Sequence, residues 1–196
     1  MKDCVELLVS SYRNSFFNIA KYNEHGKIIV TARAGNVIGG GDWASDRIIP
    51  DCIRALEKNE EIFLRNPSSV RPWQYVLEPL CGYLILGSKI LKKGVEFSGA
   101  WNFGPVVQNV ITVKEVVRRL VKEWGYGSWK SLSPIGDSFH EASMLSLDIS
   151  KARLGLNFNT RWGIDETIEK IAEWYKKYKD EKVRDICEAQ INEYCK

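Results

Sequence analysis

The stretch that decides the fold is residues 27–32 (KIIVTA), which lead directly into residues 33–43 (RAGNVIGGGDW). A continuous run of apolar and β-branched residues is typical of a strand buried on both faces, as in a parallel sheet. The segment that follows contains four glycines, and we expect a loop there. Open α/β sheets bind their ligands at the carboxyl ends of parallel strands. This strand-to-loop segment is therefore the first candidate for a functional site.

Helical patterns alternate with short strand candidates along the chain. Apolar side chains spaced three or four residues apart predict helices over 2–22, 48–56, 75–91, 112–124, 148–154, 165–178 and 181–194. Further strands are expected at 61–64 and 100–103, with a turn at 66–69. In the helix over 75–91 the predicted buried residues are Tyr83, Leu84, Leu86, Ile90 and Leu91. Alternating strands and helices predict an α/β fold with a parallel sheet, and two buried strands are too few to complete such a sheet.

Composition excludes several classes of protein. The 196 residues carry 28 basic and 25 acidic side chains, a net charge of +3 that indicates neither nucleic acid nor an anionic membrane as a partner. No apolar run is long enough to span a membrane, and the acidic residues within 1–6 do not fit a signal peptide. Five cysteines without a Cys-x-x-Cys pair indicate reduced thiols. We therefore expect a cytoplasmic globular protein.

Individual residues give weaker signals. Gly39–Gly41 matches neither phosphate-binding glycine motif. Two interpretations of this run therefore stay open, a phosphate-binding loop and a flexible loop that binds no ligand. Asn36 follows the predicted strand and is placed to offer its amide to a hydroxyl or a phosphate. In residues 71–74 (RPWQ) Arg71 is a candidate for a diphosphate, with a surface arginine as the alternative. His140 and Glu141 adjoin each other, and ligand binding is the better hypothesis for them than a catalytic pair. No serine nucleophile motif and no metal-ligand spacing is found.

Longer segments resemble a known family. The segments concerned are residues 32–43, 46–51, 65–67, 70–80 (VRPWQYVLEPL), 101–105 (WNFGP), 140–142 and 147–152, and the helix that contains Trp174 and Tyr175. Together they resemble the CDP-glucose 4,6-dehydratases. These are extended short-chain dehydrogenases/reductases that act on sugar nucleotides. The resemblance extends over essentially the whole chain. It implies the C-terminal part of a Rossmann-type parallel sheet, interleaved with a small α/β substrate-binding lobe.

The resemblance also implies a domain layout. Residues 1–42 correspond to a remnant of the NAD-binding Rossmann domain, and 43–196 correspond mainly to the substrate-binding lobe, with 75–105 returning to the Rossmann sheet. Family members carry an earlier Gly-rich fingerprint and a Tyr-x-x-x-Lys motif, whose lysine corresponds to Lys2 and whose tyrosine would precede residue 1. We therefore expect a truncated chain that is inactive alone.

In the family, NAD takes a hydride from C4 of the glucose, water leaves across C5 and C6, and the hydride returns to C6. The resemblance gives Lys2 the catalytic role. The residues it places at the cofactor are Lys2, Arg33, Ala34, Asn36 and Val37. Those it places at the substrate are Asn36, Ile48, Ile49, Arg71, Trp73, His140 and Glu141, with Trp43 or Trp73 covering the sugar or base.

The implied partners and pathway follow from the family. We expect NAD in the full-length family, a CDP-sugar as substrate, no metal, no nucleic acid, no membrane, and a homodimer formed through the opening helix. The implied role lies in deoxysugar and lipopolysaccharide (O-antigen-type) nucleotide-sugar biosynthesis. The alternatives are a non-catalytic CDP-sugar-binding protein, or an epimerase or reductase of another nucleotide sugar. A carbohydrate-binding module, suggested by the seven Trp residues, conflicts with the helical pattern.

Overall fold

The computed structural model describes residues 2–105, 110–132 and 144–196. In chain order, the helices are α1 (Lys2–Phe16), α2 (Tyr22–His25), α3 (Ile48–Glu57), α4 (Leu77–Lys93), α5 (Val113–Trp124), α6 (Ser150–Leu156), α7 (Ile164–Lys177) and α8 (Val183–Tyr194). The strands are β1 (Val30–Ala34), β2 (Asn36–Ile38), β3 (Ile62–Leu64), β4 (Val70–Tyr75), β5 (Gly99–Phe103), β6 (Val110–Thr112) and β7 (Trp129–Ser131).

The strands form three small sheets. β1 pairs with β5 in parallel, β4 lies between β2 (parallel) and β6 (antiparallel), and β3 pairs with β7 in parallel. The predicted α/β class with parallel pairing is confirmed. The backbone N–H of Gly35 donates to the carbonyl of Phe103 at 3.1 Å, which links the end of the first sheet to the start of the second.

The stretch at residues 27–38 departs from prediction in two ways. The strand begins at Val30 and its residues are half-buried or exposed, so the expected burial on both faces is wrong. Within the described residues β1 has a strand partner, β5, on one edge only, and a central parallel strand needs two. Residues 33–38 also belong to strands β1 and β2, interrupted at Gly35, so the loop begins only at Gly39.

Helix α4 corrects a second prediction. It begins at Leu77, because the preceding residues up to Tyr75 form strand β4, which was missed. Leu86 is buried as expected, but Leu84 is 76% exposed and Leu91 is 90% exposed. A 3.6-residue period shows which side chains share a face, and tertiary contacts decide whether that face is covered.

Two helices form as the sequence indicates. The Thr112 hydroxyl accepts from the Glu115 N–H at 3.3 Å at the start of α5, and Gly125 ends the helix at a φ of 102°. The Glu115 carboxylate does not complete a reciprocal capping box, since it binds Arg118 and Arg119 instead. Helix α7 buries Ile168, Ile171, Ala172, Trp174 and Tyr175, which share one face at a 3.6-residue period.

A buried carboxylate ties the C-terminal helix to the rest of the molecule. Glu78, at the start of α4, accepts from the N–H groups of Arg161 (3.0 Å) and Trp162 (2.8 Å) and from the Tyr194 hydroxyl (2.8 Å). Burial raises the pKa of Glu78 even though these three donors favour its charged form. Helix α8 is thereby held against the start of α4. No helix among the described residues has both the length and the apolar character needed to cross a membrane.

Candidate functional site

A cleft of about 1380 Å³ opens at the carboxyl end of β1. Its walls come mainly from β2, β3, β4, helix α3 and the loop between β2 and α3. Five residues that the sequence places at the substrate line it together: Asn36, Ile48, Ile49, Arg71 and Trp73. They lie on three different elements, so the tertiary fold brings them to one site.

Asn36 is held in place by a close approach of two strands. It is the first residue of β2 and lies opposite Trp73 of β4. A Cβ on the preceding residue, Gly35, would lie 2.9 Å from the Pro72 carbonyl oxygen. A side chain at position 35 would therefore push β2 away from β4, and this explains the glycine beside the candidate amide.

Arg71 places a guanidinium in the cleft wall. It is 7% exposed, and its Nη1 donates to the Val70 carbonyl at 2.9 Å. Arginine presents several N–H donors in a planar fork that matches phosphate oxygens. A guanidinium with so little access to water, lining a cleft, is suited to an anionic ligand such as a diphosphate.

The two candidate tryptophans have different roles. Trp73 is buried, its Nε1 donates to the Ile111 carbonyl at 3.1 Å, and its indole forms part of the cleft wall. Trp43 is absent from the cleft lining and packs on Tyr175 of α7 and on Tyr178, which directly follows α7, with ring centroids 5.2 and 5.3 Å away. Of the pair, Trp73 is therefore the candidate for covering a ligand.

The glycine run has a packing role. A Cβ on Gly40 would overlap the Trp174 indole, and one on Gly39 would lie 2.9 Å from Val76. The Tyr175 hydroxyl donates to the Asp42 carbonyl at 2.6 Å, and burial raises the pKa of this tyrosine to about 12. Gly40 and Gly41 let the β2–α3 loop lie directly on Trp174 of α7, and Gly39 lets it pass close to Val76. This packing positions the Asp42–Arg47 part of the cleft rim.

The predicted cofactor residues separate into two groups. Ala34, Asn36 and Val37 line the cleft, whereas Arg33 turns toward α1, with its Nε 3.5 Å from the Glu6 carboxylate. The buried Arg33 Nε has no hydrogen-bond partner among the described residues. An orphaned buried donor beside the carboxyl end of β1 is compatible with a polar ligand there.

The structure does not describe the side chains of three of the predicted site residues. Residues 133–143 contain His140 and Glu141 and are not described, and the same holds for the side chain of Lys2 at the start of α1. In the described part of the chain, no group of three or more His, Cys, Asp and Glu side chains is arranged to hold a metal ion.

The sequence analysis missed three residues at the rim of the cleft. Phe63 is 59% exposed between buried Ile62 and Leu64, and it lines the cleft. Arg65 and Asp46 also line the cleft, and they form an ion pair of 2.5 Å. Alternation along the predicted strand at 61–64 was an available signal for Phe63, since the middle residue faces away from its neighbours.

Comparison with known proteins identifies a relative of this chain. No family model matches. Over 176 residues it is 48% identical to CDP-glucose 4,6-dehydratase of Salmonella typhimurium, a match that covers 89% of this chain and 48% of that protein. The chain is related to the C-terminal half of CDP-glucose 4,6-dehydratase. The family resemblance noted from the sequence is thereby confirmed, and this chain spans about half the length of that relative.

Solved structures show the same fold. One is dTDP-glucose 4,6-dehydratase from Bacillus anthracis in complex with NAD (17% identity, TM-score 0.62, covering 81% of this chain and 47% of that one). Another is UDP-glucuronic acid 4-epimerase from Bacillus cereus with UDP-glucuronic acid and NAD (17% identity, TM-score 0.65, 81% and 48%). The fold is thus that of about half of a Rossmann-type nucleotide-sugar dehydratase or epimerase.

Proposed function

We propose that this chain forms the substrate-binding half of an NAD-dependent lyase that converts CDP-glucose to CDP-4-keto-6-deoxyglucose. The observation that carries the proposal is the cleft, which unites Asn36, Arg71 and Trp73 in a chain 48% identical to a CDP-glucose 4,6-dehydratase. Nucleotide-sugar epimerases share the fold. The sequence identity therefore favours the dehydratase over the epimerase.

In this proposal each described residue has a role in binding. Arg71 donates from its guanidinium to the diphosphate, and Asn36 offers its amide to a phosphate or sugar oxygen. Ile48, Ile49 and Trp73 form the apolar walls against the rings of the ligand. The family resemblance also implies a substrate-binding role for His140 and Glu141, which lie outside the described residues.

NAD, when bound, accepts a hydride from the sugar and returns it. In the proposal its nicotinamide end lies against Ala34, Asn36 and Val37, which line the cleft, and the Asn36 amide is the side-chain hydrogen-bond donor among these three. The ammonium of Lys2 would favour the deprotonated form of a neighbouring tyrosine base, as in the family. The 196 residues contain neither Gly-x-Gly-x-x-Gly nor Gly-x-x-Gly-x-x-Gly. We therefore propose that this chain binds the sugar nucleotide and does not turn it over alone.

A homodimer through α1 is also part of the proposal. Val5, Leu8, Tyr12 and Phe16 are exposed on this helix. Their spacing of three and four residues gives a continuous apolar stripe, which is typical of a helix that packs against a partner.

Calorimetric titration of the purified chain with CDP-glucose, dTDP-glucose and NAD tests the binding proposal. We expect CDP-glucose to bind and Arg71→Gln to weaken it at least tenfold, since charge-assisted hydrogen bonds to phosphate are lost. Arg153→Gln, an exposed arginine outside the cleft, is the matched control. Circular dichroism melting verifies that both variants fold. Absence of CDP-glucose binding by the folded wild-type chain would refute the proposal.

A further inference from the structure

The ion pair between Asp46 and Arg65 stands at the rim of the cleft without an evident structural purpose. Their side chains are 75% and 68% exposed, and an ion pair in water contributes at most about 1 kcal/mol to stability. Asp46 also adopts a φ of 61°, in the left-handed region that is unfavourable for most residues. The pair joins the loop after β2 to the end of β3 and presents charged groups toward the cleft.

The pair carries a specific pattern of hydrogen-bonding groups. One N–H of Arg65 is used on Asp46, which leaves further N–H donors of the guanidinium, and beside them the carboxylate oxygens as acceptors. Donors followed by an acceptor complement the pairing edge of cytosine, which offers O2 and N3 as acceptors and N4–H as a donor. Uracil and thymine carry N3–H and O4 instead, so their pattern opposes that of the pair at two of three positions.

An aromatic side chain stands next to this pair. Phe63 lies in β3, Arg65 directly follows the end of that strand, and both residues line the cleft. Its ring is more than half exposed in the cleft, which is unusual for a phenylalanine in a strand whose neighbours are buried. An exposed ring favours stacking of a planar base and has no preference among bases. Stacking would therefore hold the base while the ion pair selects it.

From this arrangement we infer that Arg65 and Asp46 recognise the cytosine base of the substrate, with Phe63 stacked on the ring. The inference rests on the proposed function, since it assigns the base end of the same cleft. Arg71 and Asn36, on β4 and β2, are then left for the diphosphate and the sugar. A bidentate arginine contact discriminates between bases by an amount that corresponds to about a tenfold difference in affinity.

The test compares the affinities of CDP, UDP and inorganic pyrophosphate for the full 196-residue chain by calorimetry. We expect CDP to bind about tenfold more tightly than UDP. In Arg65→Gln this ratio falls to about one, because glutamine offers both a donor and an acceptor. Arg184→Gln, which breaks an exposed ion pair with Glu188 on α8, is the matched control and keeps the wild-type ratio. Pyrophosphate affinity stays the same in all three proteins.

A second variant tests the acceptor. Asp46→Gly removes the carboxylate and keeps a residue that tolerates a φ of 61°. We expect it to lower CDP affinity several-fold with no loss of thermal stability, and to reduce the preference over UDP.

The alternatives give different results. If wild-type chain binds CDP and UDP equally, the base is not selected here and the inference fails while the proposed function stands. If Arg65→Gln weakens CDP, UDP and pyrophosphate together, Arg65 contacts the diphosphate and the inference also fails. If the folded chain binds neither nucleotide, the proposed function fails and this inference with it.

Discussion

Two regions of this molecule differ in how completely they are packed. The first, which we call the cleft lobe, comprises β2, β3, β4, β6 and β7 with α3, α5, α7 and α8. It encloses one large core in which Ile53, Leu56, Val117, Leu120 and Ile171 have no exposed surface. The second, the β1–β5 layer, comprises β1 and β5 with α1, α4 and α6. Its core is much smaller and centres on Phe103 and Phe158.

The apolar side chains of the β1–β5 layer lie largely on its outside. Five of them are each at least 65% exposed: Leu7, Leu8 and Phe16 of α1, and Leu84 and Leu91 of α4. Both regions obey the same helical periodicity, so periodicity alone does not explain the difference. Burial requires a second surface to pack against, and the described residues supply one for the cleft lobe and only a partial one for the β1–β5 layer.

The largest expected contrast compares two leucines. Leu120→Ala leaves a cavity in the core of the cleft lobe and should lower the free energy of unfolding by about 3 kcal/mol. Leu91→Ala, on the exposed face of α4, should change it by less than about 0.5 kcal/mol. Urea denaturation followed by circular dichroism measures both. Comparable losses would mean that Leu91 is covered in solution, for example by a second copy of the chain, and the contrast between the regions would disappear.

Glycines give a contrast of intermediate size. Gly40→Ala forces a methyl group into the Trp174 indole in the cleft lobe and should destabilise by about 2 kcal/mol. On α4, a Cβ at Gly87 meets no atom within 4 Å, so Gly87→Ala should stabilise the helix by about 0.5 to 1 kcal/mol. Thermal melts of the two variants, measured with wild type, give the sign of each effect. A destabilising Gly87→Ala would show that this side of α4 is in contact.

The smallest effect concerns the surface of the cleft lobe. Hydrogen bonds and charge from Arg118 and Arg119 lower the pKa of Glu115 from 4.5 to about 2. A lowered folded-state pKa adds stability that is present above pH 4.5 and is lost as the pH falls toward 2. Glu115→Gln should therefore cost about 0.5 kcal/mol at pH 7 and almost nothing at pH 2.

Urea titrations of wild type and Glu115→Gln at several pH values follow that difference. Glu188→Gln, which removes the carboxylate of an exposed ion pair with Arg184 on α8, is the control, and it should change the free energy of unfolding by less than about 0.5 kcal/mol at pH 7. A difference for Glu115→Gln that is constant from pH 7 to pH 2 would contradict the assignment.

Much of the candidate site could be predicted. Residues 70–80 and 32–43 carry the family resemblance, and Asn36, Ile48, Ile49, Arg71 and Trp73 do meet in one cleft. The strand β4 was missed, because a strand with Arg71 and Pro72 in it lacks the alternating apolar pattern, and its burial comes from neighbours distant in the chain. Whether the meeting residues bind a CDP-sugar, and the domain boundary at 42/43, remain predictions.

The sequence by itself determined the helix boundaries that depend on local chemistry, such as the Thr112 cap and the Gly125 stop, and the family through contiguous motifs. Those signals act over a few residues, so they are present in the linear order. Only the tertiary structure decided that Gly40 and Gly41 pack on α7, that Leu84 and Leu91 are exposed, and that Asp46 meets Arg65. Each of these depends on segments far apart in the chain, and no local propensity fixes which surfaces come together.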